Sequence, residues 1–133
     1  MTTNLSAFNT QIFSLVDELI EIYPEDFDFK TFKNSAEMLK KANARAIVEL
    51  FNQHIYIHKD KILAKDESFF LNNDFSGQVG GNSEKFLKIV AKLKQYWQDM
   101  STNTKENIWK YFKVFVVLCE RYYSQNTLNK TLG

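Results

Sequence analysis

Proline occurs once, at Pro24, and glycine four times, three of them in the short window of Gly77, Gly80 and Gly81. A chain built from many short strands needs turn residues far more often, so this scarcity excludes an all-β sandwich or barrel and leaves helix as the expected class. Cysteine is single as well. Cys119 lies inside an apolar segment with no second thiol to meet, so an intramolecular disulfide is excluded and a buried, inert thiol is expected. No segment reaches the roughly 20 apolar residues of a bilayer span, and no membrane partner is expected. The start, Met1-Thr-Thr-Asn-Leu-Ser, shows no basic region followed by an apolar run, so no secretory signal is read. From these absences a reducing, intracellular compartment, cytoplasm or nucleus, is expected.

What is present is an apolar complement of 44% in 133 residues, enough for one domain with a real core over 1–133. The formal net charge of +1 conceals a segregation along the chain. Asp17, Glu18, Glu21, Glu25, Asp26 and Asp28 come before any base, whereas 30–65 holds eight bases against Glu37, Glu49 and Asp60. Oppositely charged helices lying side by side account for this pattern; a basic partner-binding face is the other reading.

The apolar periodicity predicts a compact all-α bundle of about five helices, with one short extra helical turn. The first helix spans about Leu5 to Tyr23, with Phe8, Ile12, Leu15, Val16, Leu19, Ile22 and Tyr23 on one face, and Pro24 ends it. Asp26 or Asp28 caps a second helix that turns Phe32, Ala36, Leu39 and Ala42 inward. Asn43 marks a break before a third, about Ala44 to Lys65, presenting Ile47, Phe51, Ile55 and Ile62. Asp66-Glu-Ser-Phe-Phe-Leu forms the extra turn, and a long Gly-containing loop covers 72–82.

Ser83 or Asn82 caps a fourth helix carrying Phe86, Ile89, Val90, Leu93, Tyr96, Trp97 and Met100 on one side. Asn103, with Glu106 three residues on, reads as the capping box of the last helix. In that helix the stretch Ile108 to Tyr123 is apolar over about half its circumference, wider than the usual stripe of roughly 100°. It should be a central helix with one narrow wet edge, held by Lys110, Lys113, Glu120 and Arg121 with Val117 among them. If Val117 is exposed, that edge is a candidate contact surface. The polar tail 124–133 is expected to fray.

Few constellations carry chemistry. His54 and His58 stand four apart, the spacing at which two imidazoles on one helix face share a metal, but the glutamate of the His-Glu-x-x-His motif is absent. They are weak metal candidates, and satisfied boundary histidines are the plainer reading. Asn72-Asn-Asp-Phe-Ser-Gly-Gln-Val begins like a calcium-binding loop. Ser83 then stands where the closing bidentate acid belongs, with Glu84 one residue late. Gly77-Gln-Val-Gly-Gly-Asn-Ser opens a helix but lacks the lysine of a phosphate-binding loop.

No nucleophile-base set and no cofactor motif is visible. Two basic groups are candidate nucleic-acid or partner contacts: Lys40, Lys41 and Arg45 at a helix junction, and the stripe Lys85, Lys88 and Lys92. The chain as a whole is too nearly neutral for a dedicated nucleic-acid binder.

The order Pro24-Glu-Asp-Phe-Asp-Phe-Lys, Leu39-Lys-Lys-Ala-Asn-Ala-Arg45, Asp66-Glu-Ser-Phe-Phe-Leu71 and Ile108-Trp-Lys-Tyr-Phe112 resembles a group of small helical proteins encoded by nucleocytoplasmic large DNA viruses of algae and protists. The likeness spans roughly Leu5 to Glu120 and consists of core and junction residues. The group has no assigned activity, so no functional residue carries over. An Asn-, Phe- and Lys-rich composition, with fifteen Lys to two Arg, agrees with an adenine- and thymine-rich source genome. The expectation is therefore a non-enzymatic viral protein that binds another protein, viral or host, in the infected cell or the virion. A nucleic-acid-associated protein is the alternative, and a metal-dependent enzyme at His54 and His58 the third.

Overall fold

The Thr3 hydroxyl accepts from the Ser6 amide at 2.9 Å, and the helix it caps, α1, runs over Asn4–Ile22. The structure, a computed structural model, describes residues 3–73 and 81–132, with side chains at 3–73 and 83–125. After Pro24, Asp26 caps α2 (Phe27–Ala42) by accepting from the Asp28 amide at 3.0 Å. Asn43 closes α2 and its side chain accepts from the Arg45 amide at 3.1 Å, the break its residue type predicts. Then come α3 (Ala46–His54), a 3-10 turn (Tyr56–His58), α4 (Lys59–Leu63), α5 (Glu67–Asn72), α6 (Gly81–Trp97) and α7 (Thr102–Leu132). Among the described residues the architecture is all helix, with no strand.

Four local expectations need correction, the first being the start of α6, which runs from Gly81 so that Asn82 and Ser83 lie inside it rather than capping it. The single helix expected over Ala44 to Lys65 is broken at Ile55, where the run Ile55-Tyr56-Ile57 carries β-branched side chains that crowd a helical turn. The break lets Ile55 and Ile62 both reach the core while Ile57 is left 68% exposed. The cap of α7 is Ser101, whose hydroxyl accepts from the Thr104 amide at 3.1 Å, so the helix starts before Asn103. Ile22 and Ala42 face solvent, and Phe29 is the fully buried residue of α2.

α4 ends in a Schellman motif: the Asp66 amide donates to the Lys61 carbonyl and the Lys65 amide to the Ile62 carbonyl, with Lys65 at φ 52°. Glycine is the usual residue there, so composition gave no sign of it. The backbone of α7 stays helical to Leu132, past Tyr123 where the apolar pattern ends. Most of the 72–82 loop lies outside the described residues.

Packing is organised by three aromatic clusters, each joining three elements. Phe8 of α1, Phe51 of α3 and Phe115 of α7 meet with ring centres 5.4, 5.7 and 5.9 Å apart, all essentially without solvent contact. Phe70, Trp97 and Trp109 join α5, α6 and α7 at 5.2 to 6.3 Å. Tyr23 stacks on Tyr96 at 4.1 Å and on Phe29 at 5.8 Å, tying the end of α1 to α2 and α6.

α1 makes the most extensive helix pairing with α7. The two run antiparallel, because Asn4 bonds Gln125 at 3.0 Å and Tyr111 bonds Glu18 at 2.8 Å. Asn9 is buried and donates to the Ala44 carbonyl at 3.0 Å, pinning the turn between α2 and α3 onto α1.

These burials rank the side chains. Phe115→Ala removes a ring that touches two helices besides its own, and should lower unfolding free energy by about 3–5 kcal/mol in urea titration. Phe27→Ala, at a ring 70% exposed, should change it by no more than about 0.5 kcal/mol.

Candidate interaction surface

The wet edge of α7 is where sequence and structure meet most directly. Val117 is 43% exposed and Val114 39%, on the longest helix of the chain. α1 covers one side of α7 through Tyr111 and Phe115. α4 and its flanks cover the other, where Lys65 and Glu106 pair at 2.6 Å. At 100° per residue Val114, Val117, Lys110 and Arg121 fall within about 60° of one another. The result is a strip with two valines at its middle and a cation toward each end, both cations exposed.

The basic candidates do not form one stripe. Lys92 is only 17% exposed in its side chain and is held by Asp26 at 3.2 Å and Asp28 at 2.8 Å. Lys40 turns toward α1, with its ammonium 5.5 Å from the Phe13 ring centre. Lys85 instead lies by Leu39 and Leu50, between α2, α3 and α6. Lys41, Arg45 and Lys88 are exposed. On the acidic side, Asp17 pairs with Lys33 at 2.7 Å, so α1 and α2 do set opposite charges beside each other.

His54 and His58 are separated by the break. His54 closes α3 and its Nε2 is 3.1 Å from the Ser83 hydroxyl of α6. His58 sits on the 3-10 turn with its ring 5.0 Å from Phe69, and burial lowers its pKa. The break at Ile55 puts the two rings on different elements, each with its own partner. No group of three His, Cys, Asp or Glu able to hold a metal occurs among the described residues. The calcium-like stretch from Asn72 and the Gly77 to Ser83 turn lie mostly outside those residues.

The main polar cluster was not foreseen as a unit. Tyr96 donates a hydrogen bond to Asp26, which also caps α2 and pairs with Lys92. The Tyr96 hydroxyl, ahead of the Asp28 amide and Lys92, holds the Asp26 carboxyl below the usual carboxylate range. Asp28 first, then Asp26, raises Lys92, and the bond to Asp26 raises Tyr96. The available signal was the Pro24-Glu-Asp cap together with a lysine on an otherwise half-apolar stretch of α6. Its joining needed the antiparallel approach of α2 and α6.

Tyr111 is pushed up to about 12, chiefly by burial and then by Glu18. Burial likewise pushes Cys119 up to about 11, and its thiol donates to Asn52 at 3.8 Å. That thiol stays protonated near neutrality and is a poor nucleophile.

Compared with known families, curated proteins and solved structures, the chain matches none. The site must therefore be read from its own geometry. No helix among the described residues is long and apolar enough to cross a membrane.

Because the folded pKa of Asp26 is depressed, its contribution to stability is complete above the unfolded carboxylate value, near pH 4. It is lost as pH falls through the lower folded value. Asp26→Asn should reduce stability at pH 7 and make the acid decline of the urea midpoint shallower than in wild type. An unchanged acid slope would show that the cluster does not carry this linkage.

Proposed function

We propose that this chain is a non-enzymatic viral protein that works by binding another protein, viral or host, through the open edge of α7. The observation that carries the reading is the exposure of Val114 and Val117 on a helix otherwise covered on both flanks. Two branched apolar side chains one turn apart form a small contact patch, and Lys110 and Arg121 favour acidic groups on whatever covers it.

A binding role is supported over catalysis by the state of the polar groups. Asp26, Asp28, Lys92 and Tyr96 are engaged with one another, Tyr111 with Glu18, and the Cys119 thiol with Asn52. The viral provenance, and with it a place in the infected cell or the virion, rests on the resemblance in core and junction residues. Nucleic-acid contact through Lys40, Lys41, Arg45, Lys85 and Lys88 has weaker support, because Lys92 is occupied by two carboxylates.

Val114→Glu and Val117→Glu place carboxylates at exposed positions, so circular dichroism and melting temperature should stay close to wild type. Co-purification from infected cells followed by quantitative mass spectrometry should then show a partner held by wild type and lost from both variants. In a purified pair the loss should be tenfold or more, about 1.4 kcal/mol. Equal recovery of every partner by the variants would contradict the proposal.

A further inference from the structure

The turn between α1 and α2 gathers apolar side chains that the fold does not bury. Phe27 is 70% exposed and Ile22 45%, and both line an open cleft of about 650 Å³ beside Pro24 and Tyr96. Among the described residues, three carboxylates line the same cleft, Glu25, Asp26 and Asp28, and no cation does. Lys92 answers Asp26 and Asp28 from outside, and Lys30 stands 5.5 Å from the Phe27 ring centre. Glu25 is exposed and in no ion pair among the described residues. Burial and then the charge of the exposed Asp99 raise the Tyr23 hydroxyl, so a further acid borders this turn. The surface is an apolar centre with an acidic rim.

The edge of α7 has the opposite sign. Glu106 is taken by Lys65 at 2.6 Å, and Glu120 lies toward Lys59, which is raised by Tyr56 and then by Glu120. Lys110 and Arg121 are exposed, join no ion pair among the described residues, and stand beyond the two ends of the Val114 and Val117 patch.

We propose that the two surfaces are halves of one contact: the α7 edge of one copy of this chain docks on the acidic cleft at the α1–α2 turn of a second copy. The inference rests on the reading of the α7 edge as a binding surface and gives that edge its partner. Val114 and Val117 meet Ile22 and Phe27 at the centre, and Lys110 and Arg121 meet Glu25 and Asp99 at the rim, the usual division between an apolar interface core and a charged border. Charge decides the pairing. Edge against edge sets cations on cations and cleft against cleft sets acids on acids, whereas edge against cleft satisfies both. Because the two surfaces differ, each copy keeps one of each, and the contact runs head to tail, closing into a ring or continuing as a filament.

The test is sedimentation of the purified full chain from micromolar to millimolar concentration. At low salt the mass should rise with concentration, and added salt should reduce the rise. Val117→Glu spoils the edge and keeps the cleft; Glu25→Lys combined with Phe27→Ala spoils the cleft and keeps the edge. All three positions are exposed. Each variant alone should associate at least tenfold more weakly than wild type. Mixed together, they should form a one-to-one dimer, since one still offers a cleft and the other an edge. A wild type that stays monomeric would overturn the inference, as would variants that associate like wild type, or a mixture that stays monomeric while wild type associates. If Val117→Glu loses a different protein in infected cells while the purified wild type stays monomeric, the α7 reading stands and this inference falls. If Val117→Glu keeps every partner, further copies of the chain included, both fall.

Discussion

The meeting of Phe8, Phe51 and Phe115 is the contact on which the other helices depend. Each ring comes from a different helix, and each is removed from water almost completely. Burying such a side chain stabilises by about 1.5–3 kcal/mol, and edge-to-face pairs add roughly 0.5–1.5 kcal/mol beyond area. With α1, α3 and α7 fixed at that point, the remaining segments have surfaces to cover. α4 lies against α7, α2 bridges α1 and α6, and α5 seals the tryptophan pair. The central position of α7 also explains its composition, because a helix contacted from two sides needs a wide apolar arc and keeps only a narrow face for charge.

The polar interactions follow the same economy of position. Cations and carboxylates of neighbouring segments meet outside the core: Lys92 with Asp26 and Asp28 beside Tyr96, and Lys65 with Glu106. The Lys65–Glu106 pair is well exposed and adds little. Asp26 differs because it caps α2, accepts from Tyr96 and neutralises Lys92 at once. Removing it leaves the Asp28 amide and the Tyr96 hydroxyl without this acceptor and Lys92 with Asp28 alone.

The sequence made legible those features that depend on period and on single-residue chemistry. Phe8, Ile12, Leu15, Val16 and Leu19 are where a 3.6-residue repeat puts them, and Asp26 and Asn43 act as helix-end residues as their side chains allow. The exposed Val117 follows from the same wheel. What escaped was tertiary. The break at Ile55 could not be weighed against a continuous helix without knowing that α4 must turn to reach α7. The Schellman turn at Lys65 carries no glycine to announce it. The Asp26, Tyr96 and Lys92 cluster spans 70 residues of sequence, and no local pattern predicts that approach. The separation of His54 from His58 follows from the break alone.

Native-state hydrogen exchange, read by peptide-resolved mass spectrometry, tests the central claim that α7 and the phenylalanine triangle hold the fold together. Amides of α7 between Ile108 and Tyr122, together with those of α1 around Phe8 and α3 around Phe51, should exchange only through global unfolding. The 3-10 turn, α4 and α5 should open earlier, since they bury less. Exchange of α7 ahead of α4 and α5, in a subglobal opening, would contradict the account.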